Sequence, residues 1–501
     1  MDQLTASVDP EGKATRVAYN LVGQVESVTK PGGRTTRATY DGNYNTTITD
    51  PRGYVYEYTY DLDNRLIQTK DPLSQTEHVT YDPGSRVTAV RDKMGLTEEY
   101  AYDPHGNVVS VTATNGLITR FQYDILDNMI RVIMPSSLTA TYRYDVMGNV
   151  TQATDTMKRT TKYSYDIEGN MTSLTDASGR TETMTYDIAG RLTSSTSNGG
   201  NKISYDYDKL NDLIEKSYED LRDPEGKEGV VYAYDALGQR VSMMDRSGES
   251  RYEYDGLGRI TKVTTGSGEV TSYRYDGCDQ LAAITYPDGK TVSYEYDKND
   301  NLTRVTDRDG TVTTYEYDPI NRVTEIHRPN GVSTYNTYNA RDQIVTLKNI
   351  CDECEWVISQ YDYTYDNRGF IIGEDVVESL YGYAWDDKHE KDGEPNYQII
   401  GTRRTFEYDD DGKLLKATEK EDRQGTYVYT FRYDDMGNRL AYSKTRNGSV
   451  QESAKYTYNA SNQMIHPSSM TARRIPPWIT SMMPTATGSV RPVRWAPIRW
   501  S

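Results

Sequence analysis

The sequence predicts an all-β protein, an array of about 21 antiparallel hairpin repeats that form one long, curled β-sheet. Three observations lead to this fold class. A Tyr-Asp dipeptide recurs with a period of 21 residues, the segments between these dipeptides are rich in Thr, Val, Tyr and Ile, and no stretch shows sustained helical periodicity. Self-similarity at such a period is typical of one supersecondary unit that is stacked many times.

The repeat is defined by the tyrosine of this dipeptide, which we call the anchor. Anchors lie 21 residues apart from Tyr60 to Tyr207 and again from Tyr254 to Tyr338. With one degenerate anchor, Trp385, the pattern gives 21 units. The tyrosine anchors are Tyr19, Tyr40, Tyr60, Tyr81, Tyr102, Tyr123, Tyr144, Tyr165, Tyr186, Tyr207, Tyr234, Tyr254, Tyr275, Tyr296, Tyr317, Tyr338, Tyr365, Tyr408, Tyr433 and Tyr458.

Each unit divides into about ten plus eleven residues, and each half is predicted to be a strand with a turn. The first turn follows the anchor and the second begins ten residues later, as at Asp145 and Asp155. The residue after the anchor is Asp in 18 units and Asn in three, Asn20, Asn339 and Asn459. Asn keeps the side-chain acceptor that caps a turn but has no charge and no useful basicity. The role of this Asp is therefore predicted to be structural rather than catalytic.

Aromatic substitutions among the units assign a separate role to the anchor. Two residues before the anchor, Tyr exchanges with Phe at Phe121, Phe406 and Phe431. No Phe occurs at the anchor itself, and the one departure, Trp385, still carries a donor. We therefore expect the anchor hydroxyl to make a hydrogen bond, whereas the preceding aromatic ring supplies packing area.

Composition constrains the shape of the sheet. The chain has 45 Tyr against 4 Phe, 26% charged residues and a mean hydropathy of −0.81. About 42 strands spaced at roughly 4.8 Å would make a flat strip on the order of 200 Å long. Sheets rarely exceed about ten strands without curling, and a solid globule of this size needs more apolar residues. A curled sheet with a thin Tyr-rich layer and a wide interior fits these constraints.

The charge distribution bears on partners. The net charge is −18, and the last 36 residues hold five Arg and no Asp, Glu or Lys, which leaves 52 basic and 75 acidic side chains in residues 1–465. An acidic array without basic stripes argues against binding of nucleic acid. No apolar run reaches the length of a membrane span, and the first residues show no secretion signal.

The repeat resembles that of a known family. The pattern Tyr-Asp-x-x-Gly-Asn/Arg, as at 165–170 and 254–259, is similar to the Rhs/YD repeat, and the resemblance covers about residues 15–465. That family includes bacterial Rhs polymorphic toxins, wall-associated proteins, insecticidal Tc toxin B/C components and the teneurins. The resemblance implies a spiralling, shell-like sheet that need not close, and a secreted or cell-surface location. In the toxin members such a shell encloses a C-terminal effector, and we expect this chain to be a fragment of one.

The repeat pattern ends abruptly near residue 465, which predicts two segments. Residues 1–465 form the repeat array, whereas residues 466–501 hold six of the 18 Pro and three of the five Trp and lack Tyr, Asp and Glu. We expect this tail to be disordered or the product of a shifted reading frame; a Pro-rich binding tail is the alternative. Two 27-residue gaps between anchors, 207 to 234 and 338 to 365, are expected to hold longer loops.

Few residues in the chain suggest chemistry. Cys351 and Cys354 have the spacing of a redox or metal pair, but no second pair or nearby His accompanies them, so loop cysteines or a local disulfide is expected. Cys278 occupies a turn position and is expected to be exposed. The acidic turns at 307–310 and 409–412 lack the full spacing of a calcium loop. The sequence therefore predicts no catalytic, cofactor-binding or metal-binding residue, no cofactor and no enzyme.

Two non-enzymatic functions follow from these expectations. The first is a structural scaffold, a fragment of an Rhs/YD-repeat shell that encloses and delivers a C-terminal toxin polypeptide. The second is a cell-surface adhesin or binding module, whose regular aromatic and acidic turns would contact a glycan or a protein. Its partner would be either the toxin polypeptide enclosed in the full-length protein or a cell-surface glycan or protein.

Overall fold

The computed structural model describes residues 3–220, 223–381, 397–421, 425–459, 464–467 and 479. The chain divides into two compact units, each of which is described by itself. Unit 1 comprises Met1–Val79, Tyr163–Thr175 and Arg180–Gly331, and unit 2 comprises Thr80–Lys162, Asp176–Gly179 and Val332–Ser501.

The predicted all-β fold is confirmed. The described residues form 41 β-strands and one 3-10 turn at Pro31–Gly33. The strands up to the first long gap between anchors are β1 Ala6–Val8, β2 Ala14–Tyr19, β3 Val25–Lys30, β4 Arg34–Asp41, β5 Tyr44–Thr49, β6 Val55–Tyr60, β7 Leu66–Lys70, β8 Thr76–Tyr81, β9 Val87–Arg91, β10 Thr97–Tyr102, β11 Val108–Thr112, β12 Ile118–Tyr123, β13 Met129–Ile133, β14 Thr139–Tyr144, β15 Val150–Thr154, β16 Thr160–Tyr165, β17 Met171–Thr175, β18 Thr181–Tyr186, β19 Leu192–Thr196 and β20 Lys202–Tyr207.

The second part of the chain continues the same pattern with longer strands toward its end. These strands are β21 Leu213–Asp220, β22 Asp223–Tyr234, β23 Arg240–Asp245, β24 Gly248–Tyr254, β25 Ile260–Thr264, β26 Val270–Tyr275, β27 Leu281–Thr285, β28 Thr291–Tyr296, β29 Leu302–Thr306, β30 Val312–Tyr317, β31 Val323–His327, β32 Val332–Tyr338, β33 Ile344–Cys351, β34 Trp356–Tyr365, β35 Ile371–Tyr381, β36 Tyr397–Tyr408, β37 Leu414–Glu421, β38 Gly425–Tyr433, β39 Arg439–Arg446, β40 Ser449–Tyr458 and β41 Met464–Pro467.

Every tyrosine anchor except Tyr40, which is followed by Asp41 in β4, is the last residue of a strand. The side chains of these strands alternate between two environments. In β6, Tyr56, Tyr58 and the anchor Tyr60 are half-buried, whereas Val55 and the other intervening residues are exposed. Successive side chains of a strand point to opposite faces of the sheet. The anchor and the aromatic residue two positions before it therefore pack on one face, as the sequence pattern predicts.

The strands pair antiparallel with their neighbours in the chain, and a β-bulge lies at the anchor. In the pair β14–β15, Arg143 faces Gln152 but the anchor Tyr144 faces Val150, which leaves one extra residue in β15. The same shift occurs at anchors in both units. Because a bulge bends the strand and increases its twist, repetition at every anchor gives the array a built-in curvature.

One of the predicted anchors, Trp385, lies outside the described residues. The strands on either side of this stretch, β35 and β36, pair with each other from Gly373–Thr405 to Tyr381–Tyr397. The described residues contain the twenty tyrosine anchors.

Fully buried apolar side chains are concentrated in unit 2, on strands β36–β40. Leu414 and Ala417 are completely buried there among aromatic rings such as Tyr429 and Phe431. Ile479, from the segment predicted to lie outside the natural fold, is also completely buried in this cluster. Strand β41 likewise extends past residue 465 to Pro467 and pairs with β40. These contacts place parts of 466–479 against the array, and the division at residue 465 stays a prediction.

The burial of side chains in this cluster predicts that substitutions of two neighbouring leucines have different effects on stability. Leu414→Ala removes a side chain that is 0% exposed and should lower the free energy of unfolding by about 2–5 kcal/mol. Leu415→Ala, on the opposite face and 41% exposed, should cost less than about 1 kcal/mol. Ile479→Ala should behave like Leu414→Ala in the same denaturant titration. An Ile479→Ala variant with unchanged stability would show that the tail does not belong to the core.

Candidate functional site

The feature that recurs through both units is a hydrogen bond from the anchor hydroxyl to the preceding unit. The Tyr144 hydroxyl donates to the Met129 carbonyl oxygen at 2.7 Å, and Met129 lies six residues after the preceding anchor, Tyr123. The same bond joins Tyr317 to Leu302 at 2.8 Å. Each anchor therefore ties its own strand to the strand that starts just after the previous first turn. The anchors that make it include Tyr40, Tyr102, Tyr123, Tyr144, Tyr186, Tyr207, Tyr275, Tyr296 and Tyr317.

The hydrogen bond of the anchor hydroxyl also forms where the distance between anchors is longer than 21 residues. Across the two 27-residue gaps, Tyr234 donates to Leu213 at 2.9 Å and Tyr365 donates to Ile344 at 2.6 Å. Tyr408 donates to the carbonyl of Ile371, 37 residues earlier, at 2.9 Å. In all three cases the acceptor is again the sixth residue after the preceding tyrosine anchor.

Two anchors depart from this pattern. The Tyr60 hydroxyl donates to the side-chain oxygen of Asn45 at 3.2 Å instead of to a main-chain carbonyl. The Tyr433 hydroxyl is buried and has no hydrogen-bond partner among the described residues. A buried hydroxyl without a partner costs free energy, so Tyr433 is a local weak point of the ladder.

The aspartate that follows the anchor closes the first turn. Oδ1 of Asp145 accepts hydrogen bonds from the main-chain N–H groups of Met147 and Asn149, both at 2.9 Å, and Oδ2 accepts from the Asn149 side chain at 3.1 Å. Gly148 has φ +85°, a conformation that residues other than glycine rarely adopt. The N–H of Asn149 is the main cause that holds the pKa of Asp145 below its ordinary value. Both oxygens of the carboxylate thus accept hydrogen bonds that close the turn.

The turns that carry Asn confirm the structural role of this position. Oδ1 of Asn339 accepts from the N–H groups of Arg341 and Gln343 at 2.9 and 3.1 Å, as Asp145 does in its own turn. Its Nδ2 donates to Oε1 of Gln343 at 2.9 Å. Asn20 and Gln24 repeat this arrangement. The donor and acceptor are exchanged, but the turn is closed in the same way without a charge.

Arginine at the end of the first turn joins one unit to the next. In five first turns of the described residues the guanidinium binds the carboxylate of its own turn, as Arg191 does with Asp187, Nε to Oδ2, at 2.6 Å. The same guanidinium lies 4.9 Å from the ring centroid of the next anchor, Tyr207. It also donates to the Asp208 carbonyl at 3.1 Å. One side chain therefore combines an ion pair, a cation–π contact and a hydrogen bond across the unit boundary.

Within unit 1, the second turns of early repeats contact the first turns of repeats twelve or thirteen anchors later. The Arg34 guanidinium, beside the second turn of the Tyr19 unit, pairs with Asp300 and donates to Gln280 at 2.9 Å. Arg52 Nη1 donates to the Asp318 carbonyl at 3.1 Å, and its Nε lies 3.6 Å from Asp297 Oδ2. We call such a contact between repeats twelve or thirteen anchors apart a seam.

The seam also explains the environment of Cys278. The sequence predicts an exposed thiol, but the side chain is half-buried, because its Sγ donates to the Pro31 carbonyl at 2.8 Å. An open cleft of about 630 Å³ lies beside these residues and is lined by Arg34 and Arg52 among others. Since both guanidinium groups are already engaged by acidic and carbonyl oxygens, the cleft belongs to the seam.

Unit 2 has its own seam with the same offset. Arg341, in the first turn of the Tyr338 unit, pairs with Asp92, in the second turn of the Tyr81 unit. Thr114 Oγ1 donates to the Asn367 carbonyl at 2.5 Å, and Thr156 Oγ1 donates to the Asp435 carbonyl at 2.7 Å. The two residues of each contact are 249 to 279 positions apart in the chain. Their units are nevertheless always twelve tyrosine anchors apart.

The residues that the sequence singled out for chemistry lie in turns. Cys351 and Cys354 are free cysteines at the tip of the β33–β34 hairpin, and the N–H of Cys354 donates to Cys351 Sγ at 3.3 Å. In the acidic turn at 307–310, Asp307 already accepts from the N–H groups of Asp309 and Thr311, both at 2.9 Å. The geometry brings neither group together with a further set of ligands.

Comparison with known protein families identifies the type of repeat. The family model described as RHS Repeat matches residues 102–139, 144–181, 234–270, 254–291 and 296–333, which lie in the part of the array with the most regular spacing. These segments of the chain are RHS repeats. No curated protein shows significant sequence similarity to this RHS-repeat chain. Among the described residues, no helix is long and apolar enough to cross a membrane.

Solved structures share the fold of this RHS-repeat array. They include TcdB2-TccC3-TEV at 15% identity and a TM-score of 0.70, and TcdB2-TccC3-Cdc42 at 16% and 0.71, each covering 91% of this chain and 27% of the solved chain. The Tc holotoxin pore of Photorhabdus luminescens matches at 14% identity and a TM-score of 0.58, covering 92% and 26%. The array thus spans about a quarter of these solved chains, and at this identity the likeness concerns the fold.

The anchor bond predicts unequal effects of two neighbouring tyrosines. Tyr144→Phe removes the donor to Met129 and should destabilise the array by about 1 kcal/mol. Tyr142→Phe keeps the packing ring and is the matched control, with a smaller expected loss. The free energies of unfolding from denaturant titrations check this. Equal losses in the two variants would contradict the assignment of separate roles.

The lowered pKa values of the turn carboxylates predict that the array loses stability in acid. Their pKa values are depressed in the folded state, so the stability they contribute is present above the unfolded pKa of about 3.9 and is lost as pH falls through the folded value. A triple variant, Asp124→Asn, Asp145→Asn and Asp166→Asn, should therefore lose less stability between pH 7 and pH 3 than the wild type. Thermal unfolding at several pH values measures this, and identical pH profiles would exclude the explanation.

Proposed function

We propose that the array is a non-catalytic structural scaffold, part of an RHS-repeat shell that encloses and delivers a toxin polypeptide in the full-length protein. The observation that carries the proposal is the seam. A strip whose turns meet repeats twelve or thirteen anchors away is wound back on itself instead of lying flat, and a wound strip can surround a volume. The ion pairs of Arg34 and Arg341 hold this winding in units 1 and 2, respectively.

The chemistry of the repeat supports a scaffold role. Its most regular polar groups, the anchor hydroxyl and the turn carboxylate, are engaged with the main chain, as at Tyr144 and Asp145. A catalytic group must be within reach of a substrate proton or electrophile, and these acceptors and donors are already occupied. The resemblance to solved toxin structures, which include a Tc holotoxin pore, supports the toxin context and with it a secreted or cell-surface location.

The alternative function, binding to a cell-surface protein or glycan, is favoured by a separate observation. The tips of several first turns carry large apolar side chains that are almost fully exposed, such as Val146 at 93% and Ile125 at 88% in unit 2 and Leu62 and Ile188 in unit 1. Exposed apolar side chains that recur at one position of a repeat favour a contact surface.

Protease protection in the full-length protein distinguishes the two functions. In the scaffold function, a downstream toxin segment resists trypsin while the array is intact. The double variant Arg34→Ala and Arg52→Ala breaks the seam of unit 1 and should speed cleavage of that segment about tenfold. Arg274→Ala, an exposed strand residue of the same unit, is the control and should leave the rate unchanged.

Two results would count against the enclosed-toxin proposal. One is a downstream segment that trypsin cleaves rapidly in the wild type. The other is glycan or protein binding by the repeat region that is lost on Ile125→Ser and Val146→Ser, with no protection of any segment. The second result would support the binding function.

A further inference from the structure

One hairpin of unit 1 departs from its sister repeats in two side chains that share a face. Strands β30 and β31 pair so that Glu316 lies directly opposite Glu325 and Thr314 lies opposite His327. Side chains two residues apart in a strand point to the same face. The two carboxylates and the imidazole therefore project from one side of this hairpin.

Three sister repeats that also carry a glutamate immediately before the anchor show which residue faces such a glutamate. At the same register, Glu253 binds Lys262 at 2.8 Å, Glu295 lies 3.6 Å from Arg304, and Glu407 binds Lys416 at 2.6 Å. In each, the residue eight positions after the anchor is a cation that neutralises the glutamate opposite. The β30–β31 hairpin has a second carboxylate there instead. Like charges directly opposite each other are destabilising, so the site lacks a positive charge that its sisters have.

The second departure supplies a nitrogen donor beside the two carboxylates. Ten residues after the anchor, preceding units have Thr264, Thr285 and Thr306, whereas this unit has His327. Its Nε2 lies 3.3 Å from Oε2 of Glu325. The donor atoms of Glu316, Glu325 and His327 all lie within 4.8 Å of one another. Two independent changes to the repeat thus place two oxygens and one nitrogen around one point.

The neighbouring cation is already engaged elsewhere. Arg304 faces Thr314 from strand β29, and its guanidinium is directed to Glu295 in its own hairpin. Arg304 therefore pairs with Glu295 rather than with Glu316 or Glu325.

We propose that Glu316, Glu325 and His327 form a divalent metal site that prefers Zn²⁺. Imidazole nitrogen and carboxylate oxygen are both common zinc ligands, at about 2.0–2.2 Å, and three protein ligands leave one position for water. Calcium takes six to eight oxygen ligands, which makes a site with one imidazole a poor match. The ion occupies the place of the Lys or Arg nitrogen in the sister hairpins and links β30 to β31.

A second hairpin in the same unit is a built-in control. Asp206 faces Glu215, and the residue that corresponds to His327 is Ser217, opposite Ser204. This hairpin has the opposed carboxylates without the imidazole. We expect it to bind Zn²⁺ at least about tenfold more weakly, and Ser217→His to create a second site.

The test is calorimetric titration of the 501-residue chain with ZnCl₂ in a background that carries Cys278→Ser, Cys351→Ser and Cys354→Ser, which removes all three thiols. One equivalent should bind and should raise the thermal unfolding temperature. His327→Thr and Glu325→Lys, which restore residues found in sister repeats, should each weaken that binding at least about tenfold. His105→Asn, whose imidazole lies 3.0 Å from Asp127 outside this hairpin, should leave it unchanged.

Three outcomes would overturn the site. These are absence of Zn²⁺ binding in the thiol-free background, binding that His327→Thr leaves unaltered, and Ca²⁺ binding as tight as that of Zn²⁺. The restored residues keep the repeat pattern and should preserve the fold, which the unfolding temperature without metal verifies. Gain of a second equivalent in Ser217→His supports the proposal independently of any loss-of-binding variant.

Discussion

The bond from the anchor hydroxyl to the sixth residue of the preceding unit is the constraint on which the rest of the array depends. It fixes where one hairpin lies relative to the next, because a single donor at the end of a strand selects a single carbonyl. The β-bulge at the same residue bends the strand there, as at Tyr144. Spacing and curvature are therefore set at one position, and the intervening residues vary between units without disturbing either.

Much of this arrangement could be predicted from the sequence because substitutions between units can be compared in the same way as a series of mutants. Phe121 two positions before an anchor indicated that this ring needs no hydroxyl, and Asn339 indicated that the turn needs an acceptor and not a charge. Both inferences agree with the hydrogen bonds that the structure shows. They succeeded because each interaction spans one or two units, so the relevant residues recur together in the pattern.

The features that sequence reasoning missed depend on distance or on register. The seams join residues more than 240 positions apart, and the periodicity carries no information about which repeats meet. The group of Glu316, Glu325 and His327 becomes visible only when the two strands of a hairpin are aligned, since the acids are nine residues apart in the chain.

The seam has a consequence for how such a gene can change length. Insertions within a hairpin, such as those that lengthen β21–β22 and β33–β34, leave the pairing of distant turns intact because they add residues without adding an anchor. Duplication or loss of one whole 21-residue unit would preserve every local bond but would move each later turn opposite the wrong partner. Arg52 would then face a turn other than the one that supplies Asp297 and Asp318. Recombination between identical repeats, otherwise the easiest event in a repetitive gene, is thereby selected against, whereas variation in loop length is permitted.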